Sequence, residues 1–151
     1  MRQEEAQRAK AETDRKAEQQ RLARQREEEE ISSIRRLAGT WVDSERKYRY
    51  GITVSGSSIE IVLNETYNPA RNEWLHWRRY GFSAAPQTWQ GNTEKLQIRG
   101  THTQLQKPGG PVFTSPFTAT ISPDGIRIQL NYETIGFDGS KNRWERDLVR
   151  P

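Results

Sequence analysis

Residues 37–43 read Leu-Ala-Gly-Thr-Trp-Val-Asp and separate two parts of the chain that differ in composition. The residues before this stretch include no aromatic side chain and are mostly Glu, Arg, Gln, Lys and Ala, which are strong helix formers. All five Trp, all five Tyr and all four Phe lie from Trp41 onward, in short segments punctuated by Gly, Pro, Asn and Asp. The change in pattern predicts a charged helical stalk over residues 1–36 and a β domain over residues 37–151.

Charge and composition narrow the classes of function. The 151-residue chain has a net charge of +4, and Lys and Arg only slightly outnumber Asp and Glu on either side of residue 36. Nucleic-acid binding is therefore permitted but not required. The absence of cysteine excludes disulfides, thiolate metal sites and thiol nucleophiles.

The same composition bears on localisation. No apolar stretch approaches the ~20 residues of a membrane-spanning helix. The N-terminus also lacks the apolar segment of a signal peptide. If Met1 is the natural start, we expect a cytoplasmic protein.

The stalk has few apolar residues, and most of them are Ala at positions that do not follow a heptad. This pattern favours a solvated helical spacer. Weak oligomerisation as a coiled coil is the alternative. A short apolar repeat at its end, including Ile31, Ile34 and Leu37, is expected to pack against the β domain or to cap one end of it.

The β domain contains eight segments with strand-like patterns, namely residues 40–43, 47–55, 58–67, 74–83, 93–106, 112–121, 126–134 and 143–149. The links between them are short and turn-like, which predicts an antiparallel meander. Closure into a barrel removes the exposed edges of such a sheet. The predicted fold is therefore mainly β, an eight-stranded antiparallel up-and-down barrel preceded by a long charged N-terminal α-helix. Pro116 is expected to mark an edge or a bulge.

Alternation along the strands predicts which side chains point into the barrel. The predicted inward set is Tyr48, Tyr50, Ile52, Ile61, Leu63, Leu96, Ile98, Phe117, Ile128, Leu130 and Tyr132, with His102 as a further candidate. A barrel of eight strands is wide enough either to be filled by its own side chains or to hold one small ligand. Both alternatives remain open from the sequence.

The motif Gly39-Thr40-Trp41, at the first of eight meandering strands, resembles the G-x-W motif of the calycins, a superfamily that includes lipocalins, fatty-acid-binding proteins and avidins. The resemblance covers residues 37–151. It implies that Trp41 closes one end of the barrel and stacks against a basic residue near the last strand. Arg146 is the predicted partner, with Arg143 and Arg150 as alternatives.

Aromatic residues provide the candidate ligand site. If the barrel holds a ligand, the residues suited to a flat or amphipathic molecule are Tyr48, Tyr50, Trp77, Tyr80 and Tyr132, because they combine apolar area with a polar group. No cofactor is implied.

Catalytic and metal-binding motifs are not found in the sequence. His76 and His102 are the only histidines, and no spacing supplies further zinc ligands. There is no G-x-S-x-G elbow, and Gly109-Gly110 lacks the Lys-Ser/Thr of a phosphate loop. We therefore expect a protein that is not an enzyme and that has no metal site.

The leading hypothesis is a non-enzymatic module that binds a small hydrophobic ligand or a protein partner and is tethered by the stalk. The resemblance suggests an accessory or sensory role, as in bacterial multidomain proteins that carry such barrels behind charged helices. Single-stranded nucleic-acid binding is an alternative, through Trp77, Arg78, Arg79 and Tyr80. In the basic-aromatic run 47–50, alternation places the tyrosines and the basic residues on opposite faces, so they cannot serve one bound strand. A third alternative is an assembly protein that oligomerises through its helix.

Overall fold

The N-terminal unit is a single helix. A computed structural model describes residues 2–151, and its contacts divide the chain into a unit that extends to Ser33 and a second unit, Ile34–Pro151. Helix α1 spans Arg2–Arg35, and Ile34 is its one buried residue. The spacing predicts an ion pair between Glu12 and Lys16, and their charged groups lie 3.8 Å apart. Within residues 2–151 no helix is both long and apolar enough to cross a membrane.

The second unit is a closed antiparallel barrel. Its strands are β1 (Gly39–Asp43), β2 (Tyr48–Ser55), β3 (Ser58–Asn68), β4 (Glu73–His76), β5 (Gln87–Glu94), β6 (Gln97–Leu105), β7 (Val112–Ile121), β8 (Arg127–Ile135) and β9 (Lys141–Val149). Eight of them form the wall in the order β1-β2-β3-β5-β6-β7-β8-β9, and β9 pairs back onto β1. The predicted fold class, eight antiparallel strands after one long helix, is confirmed.

The fourth strand of the wall is β5, not the predicted strand over residues 74–83. The long strand β3 pairs with β5 along Ser58–Val62 and with the short strand β4 along Glu65–Asn68. The chain then leaves the sheet in a 3₁₀ helix, Trp77–Tyr80. The sequence of β5 contains a single large apolar residue, Trp89, so its alternation is not visible to pattern analysis.

The barrel interior holds one continuous cluster of buried side chains. Its members are Leu37, Trp41, Tyr50, Ile52, Ile59, Ile61, Leu63, Trp89, Ile98, Phe117, Ala119, Ile121, Ile128, Leu130, Tyr132 and Leu148. Most of the predicted inward set is therefore confirmed, and Tyr48 is half-buried against the cluster. Leu96 is the exception, because it lies in the turn between β5 and β6 and is 40% exposed.

Trp41 lies buried at one end of the barrel, where its indole Nε1 donates to the carbonyl of Leu37 at 2.7 Å. The guanidinium carbon of Arg150 lies 4.4 Å from the centre of the indole ring. The same guanidinium donates to the carbonyls of Arg36 and Ala38, so it also fixes the chain that leads into β1. A cation and an indole therefore close this end together.

The predicted partner of Trp41, Arg146, is wrong, and Arg150 occupies the position. The register explains the difference. Val149 pairs with Val42, so the next residue of the C-terminal segment comes level with Trp41. Arg146 lies four residues earlier on the same side of the chain and reaches the other half of the barrel.

We expect Arg150→Ala to lower the free energy of unfolding by about 1–2 kcal/mol, because it removes a cation–π contact and charged hydrogen bonds. Urea unfolding followed by Trp fluorescence measures the change. The matched control is Arg143→Ala, because the Arg143 side chain is almost fully exposed and pairs only with Glu133 at 3.5 Å. Equal losses in the two variants would contradict the closing role of Arg150.

Candidate functional site

The end of the barrel away from Trp41 carries a concentration of exposed apolar side chains. We call this end the far rim; it consists of the loops β1–β2, β3–β5, β6–β7 and β8–β9 and the strand ends beside them. Four exposed apolar residues lie here: Tyr80 (49% exposed), Val112 (57%), Phe137 (86%) and Trp144 (44%). Leu96 and Ile126 are the exposed apolar residues at the Trp41 end. Singly exposed apolar residues are ordinary, whereas several at one end of a domain indicate a contact surface.

An aromatic stack fills the centre of the barrel. The ring of Trp89 lies 5.0 Å from His102 in a stacked arrangement, 5.2 Å from Tyr132 and 5.7 Å from Tyr50. Burial raises the pKa of both Tyr50 and Tyr132, so their hydroxyls stay neutral. Two of the predicted ligand residues are therefore part of the packed core.

The other three predicted ligand residues lie near the far rim. Tyr48 and Trp77 are half-buried and pack against the core, and Tyr80 is exposed. The ring of Trp77 contacts Tyr80 at 5.7 Å and Phe82 at 5.9 Å. Sequence reasoning missed Trp89, because its strand was not predicted, whereas the alternation of β6 pointed to His102.

Arg146 is a partly buried cation near the far rim. Its guanidinium carbon lies 5.2 Å from the centre of the Tyr48 ring and 5.7 Å from that of Trp144. Its Nη1 atom is 4.0 Å from Oδ2 of the buried carboxylate of Asp43. The other oxygen, Oδ1, accepts the main-chain N–H groups of Lys47 and Tyr48 at 2.7 Å each, which fixes the β1–β2 loop. Arg146 thus joins this loop to the aromatic residues around it.

The two basic-aromatic runs differ in what they expose. In the run 47–50, Tyr50 is buried, so its ring is not open to a base. In the run 77–80, Arg78, Arg79 and Tyr80 are exposed on the 3₁₀ helix and not on a strand. Only the second run therefore has an exposed aromatic ring beside its basic side chains.

The barrel wall is split between β7 and β8 near the far rim. These two strands pair only from Thr118–Asn131 to Ile121–Ile128. Toward the far rim, the direction that we call upward, β7 extends to Val112 and β8 to Ile135 without pairing. We call the unpaired part the seam. The N–H of Ile121 donates to Leu96 on the β6 side, so by alternation the even-numbered residues of β7 direct their main-chain groups to β8. Pro116 is one of these and has no N–H, which ends the ladder and confirms the predicted edge.

Side chains from inside the barrel bridge the seam. His102 Nδ1 lies 3.1 Å from the carbonyl of Glu133, and Ser115 Oγ donates to the same carbonyl at 3.2 Å. The amide of Gln104 accepts from the N–H of Ile135 at 3.0 Å and donates to its carbonyl at 3.3 Å. The upper half of β8 is therefore held by side chains of β6 and β7, and the outer edge of β7 is left without a partner strand.

A crevice of about 380 Å³ lies at the seam. It is lined by residues 116–118 of β7, residues 131–133 of β8 and residues 143–145 of β9. Apolar and charged residues both contribute, among them Phe117, Trp144, Glu133 and Glu145.

Residues 2–151 contain no group of three His, Cys, Asp or Glu side chains arranged to hold a metal ion. His76 lies at the end of β4, where its Nδ1 accepts the N–H of Arg78 at 3.1 Å. His102 lies in the core, where its second ring nitrogen is 3.1 Å from the side-chain oxygen of Gln87. Both histidines thus have structural hydrogen-bond partners.

No family model, curated protein or solved structure matches this chain. The class of protein is therefore defined by the geometry of the barrel alone. The barrel is closed, antiparallel and eight-stranded, and it is compatible with a calycin-like fold.

His102 gives the barrel a pH-dependent stability. Burial lowers the pKa of His102 to about 4, and the hydrogen bond to Glu133 opposes this shift only in part. In the unfolded chain its pKa is about 6.5, so the unfolded state binds more protons between these values. The contribution is fully present above about pH 6.5 and is lost as the pH falls through about 4; its size is about 3 kcal/mol.

We expect His102→Gln to remove most of this contribution, so that the free energy of unfolding falls less between pH 7 and pH 4 than in the wild type. Denaturant unfolding at a series of pH values measures the difference. His76→Asn is the control and keeps the wild-type profile, because His76 is exposed. Parallel profiles for His102→Gln and the wild type would contradict the expectation.

Proposed function

We propose that the barrel is a non-enzymatic binding module that engages a protein partner through the far rim. In this proposal α1 tethers the module to another domain or subunit, as an accessory or sensory domain. The calycin-like geometry and the Trp41–Arg150 closure are in keeping with such a role. The observation that carries the proposal is the packed interior, which moves recognition from the lumen to the surface.

The packed interior disfavours a ligand in the lumen. Trp89, Tyr50, Tyr132 and His102 contact one another across the centre, where a lipocalin-type ligand would have to lie. Removing such close-packed aromatic side chains costs about 3–5 kcal/mol each. A ligand that displaced them would have to offset a cost of that order.

The chemistry of the far rim suits a protein surface. Exposed aromatic and arginine side chains are enriched where proteins contact one another. Tyr80, Phe137 and Trp144 supply aromatic area, and Arg78 and Arg79 supply donors beside it. Tyr80 and Phe137 lie in connections between strands of the closed barrel, and Trp144 lies on β9.

A selection from a random library of linear 12-residue peptides against the whole chain tests the proposal. We expect binders whose affinity falls at least tenfold, which is about 1.4 kcal/mol, when Tyr80→Ser and Phe137→Ser are combined. Leu96→Ser with Ile126→Ser is the matched control, because it removes two exposed apolar side chains at the Trp41 end. The control should bind the same peptides as the wild type.

Three outcomes would contradict the proposal. A library that yields no binder would show that the far rim is not a peptide-binding surface. Saturable binding of the fluorescent fatty acid cis-parinaric acid, weakened by substitution of Trp89, would indicate a ligand site in the lumen of the barrel. Binding of a thymidine 30-mer at low salt, lost in Arg78→Ala with Arg79→Ala, would favour the nucleic-acid alternative.

A further inference from the structure

We propose that the free edge of β7, Val112–Pro116, accepts an extended peptide segment as an added strand at the seam. The inference rests on the proposed function and specifies how the partner binds. It follows from three features, which are the unpaired main chain of β7, the occupied main chain of β8 and the charge of the crevice.

The edge of β7 presents main-chain groups in the geometry of a sheet. Below Pro116, the even-numbered residues Thr118 and Thr120 pair with Asn131 and Gln129 of β8. Above it, Val112 and Thr114 direct their N–H and carbonyl groups to the same side, where the ladder has ended. Unpaired groups of this kind are a template for a strand from another chain.

The adjoining strand does not close the gap. The carbonyl of Glu133 already accepts from Ser115 and lies within hydrogen-bond distance of His102, and both main-chain groups of Ile135 bond to Gln104. The upper half of β8 is thus occupied by side chains from the barrel interior. The place beside Val112 and Thr114 therefore has no partner strand, and three main-chain groups of β8 that could compete for it are already bonded.

The length of the edge limits what can bind. Pro116 has no N–H, so main-chain pairing involves Val112, Thr114 and the carbonyl of Pro116. Such a short edge with a proline protects the barrel from open-ended sheet growth. Affinity must therefore come in part from side chains, and the crevice beside the edge supplies contacts for them.

The crevice selects the chemistry of the added strand. The exposed apolar residues of its lining, Pro116 and Trp144, favour an apolar side chain. The carboxylate of Glu133 pairs with Arg143 at 3.5 Å, whereas Glu145 has no ion-pair partner in the described residues 2–151. The lining therefore has one negative charge in excess. The expected partner is an extended segment that carries an apolar residue next to a Lys or Arg. The negative charge of the lining disfavours a phosphate backbone at the seam.

Thr114→Pro tests the main-chain pairing directly, because it deletes one N–H at an exposed edge position. The control is Thr114→Val, which changes the side chain and keeps the N–H. With the peptides selected against the wild type, we expect Thr114→Pro to weaken binding at least tenfold and Thr114→Val to leave it within about twofold. We also expect Glu145→Lys to weaken binding of peptides that carry Lys or Arg.

Two further measurements keep the test valid if Thr114→Pro folds poorly. The first is N-methylation of single peptide bonds in the selected peptides, which should abolish binding at alternate positions only. The second is amide NMR of the wild type, in which the largest peptide-induced shifts should fall on residues 112–118 and 131–133.

The outcomes separate this inference from the proposed function. Peptides that tolerate Thr114→Pro and N-methylation but lose affinity with Tyr80→Ser and Phe137→Ser would overturn strand addition and leave the binding module standing. A selection that yields no peptide would overturn both. Self-association of the wild type that disappears in Thr114→Pro would identify a second copy of the chain as the occupant in place of a separate partner.

Discussion

Two residue pairs between β1 and β9 turn this sheet into a cylinder. Val42 pairs with Val149 and Asp43 pairs with Leu148, and no other part of the wall has so short a ladder. Side chains reinforce it on both sides. At one end of the ladder the guanidinium of Arg150 lies over the ring of Trp41, and at the other end Arg146 approaches the carboxylate of Asp43. Closure therefore depends on a few main-chain bonds and on two arginines that alternation places on one side of the chain.

Once the wall is closed, the size of the enclosed side chains decides what the barrel can do. Eight strands leave room for either a filled core or one small ligand. The indole of Trp89, stacked on His102 and bordered by two tyrosines, takes up the central space. We therefore propose recognition at the exposed end and at the place where the wall is incomplete. The same aromatic residues that stabilise the core are thus the basis of our proposal that partners bind outside it.

The sequence was informative where local chemistry decides structure. The turn residues and alternating strands predicted an eight-stranded meander, and Pro116 predicted an edge or a bulge. The sequence-based predictions failed where contacts between distant segments decide the structure. Of the predicted strand 74–83, only the part within β4 pairs with β3, and the chain leaves the sheet at Trp77, whereas Gln87–Glu94 looks polar and forms part of the wall. Pairing with neighbouring strands overrides weak local preference in both cases.

The residues of the candidate site also fall into two groups, those that could be identified from residue type and those that required the tertiary structure. Tyr48, Trp77 and Tyr80 were identified from their type and lie near the far rim. Trp89 could not be identified without its strand, and the choice between Arg146 and Arg150 required a register that the pattern does not contain. The seam was marked by its proline, but the side chains that bridge it come from β6 and the neighbouring β7, and are brought to β8 only by closure of the barrel.

The seam affects the order in which the β7–β8 part of the wall opens. The upper halves of β8 and β9 form a hairpin whose outer contacts depend on His102, Ser115 and Gln104. Local opening costs less free energy where few backbone bonds must break. Thermal fluctuations will therefore detach the tip of this hairpin before the lower ladder separates. The tip of the β8–β9 hairpin is then a flap beside the edge to which a second chain would attach.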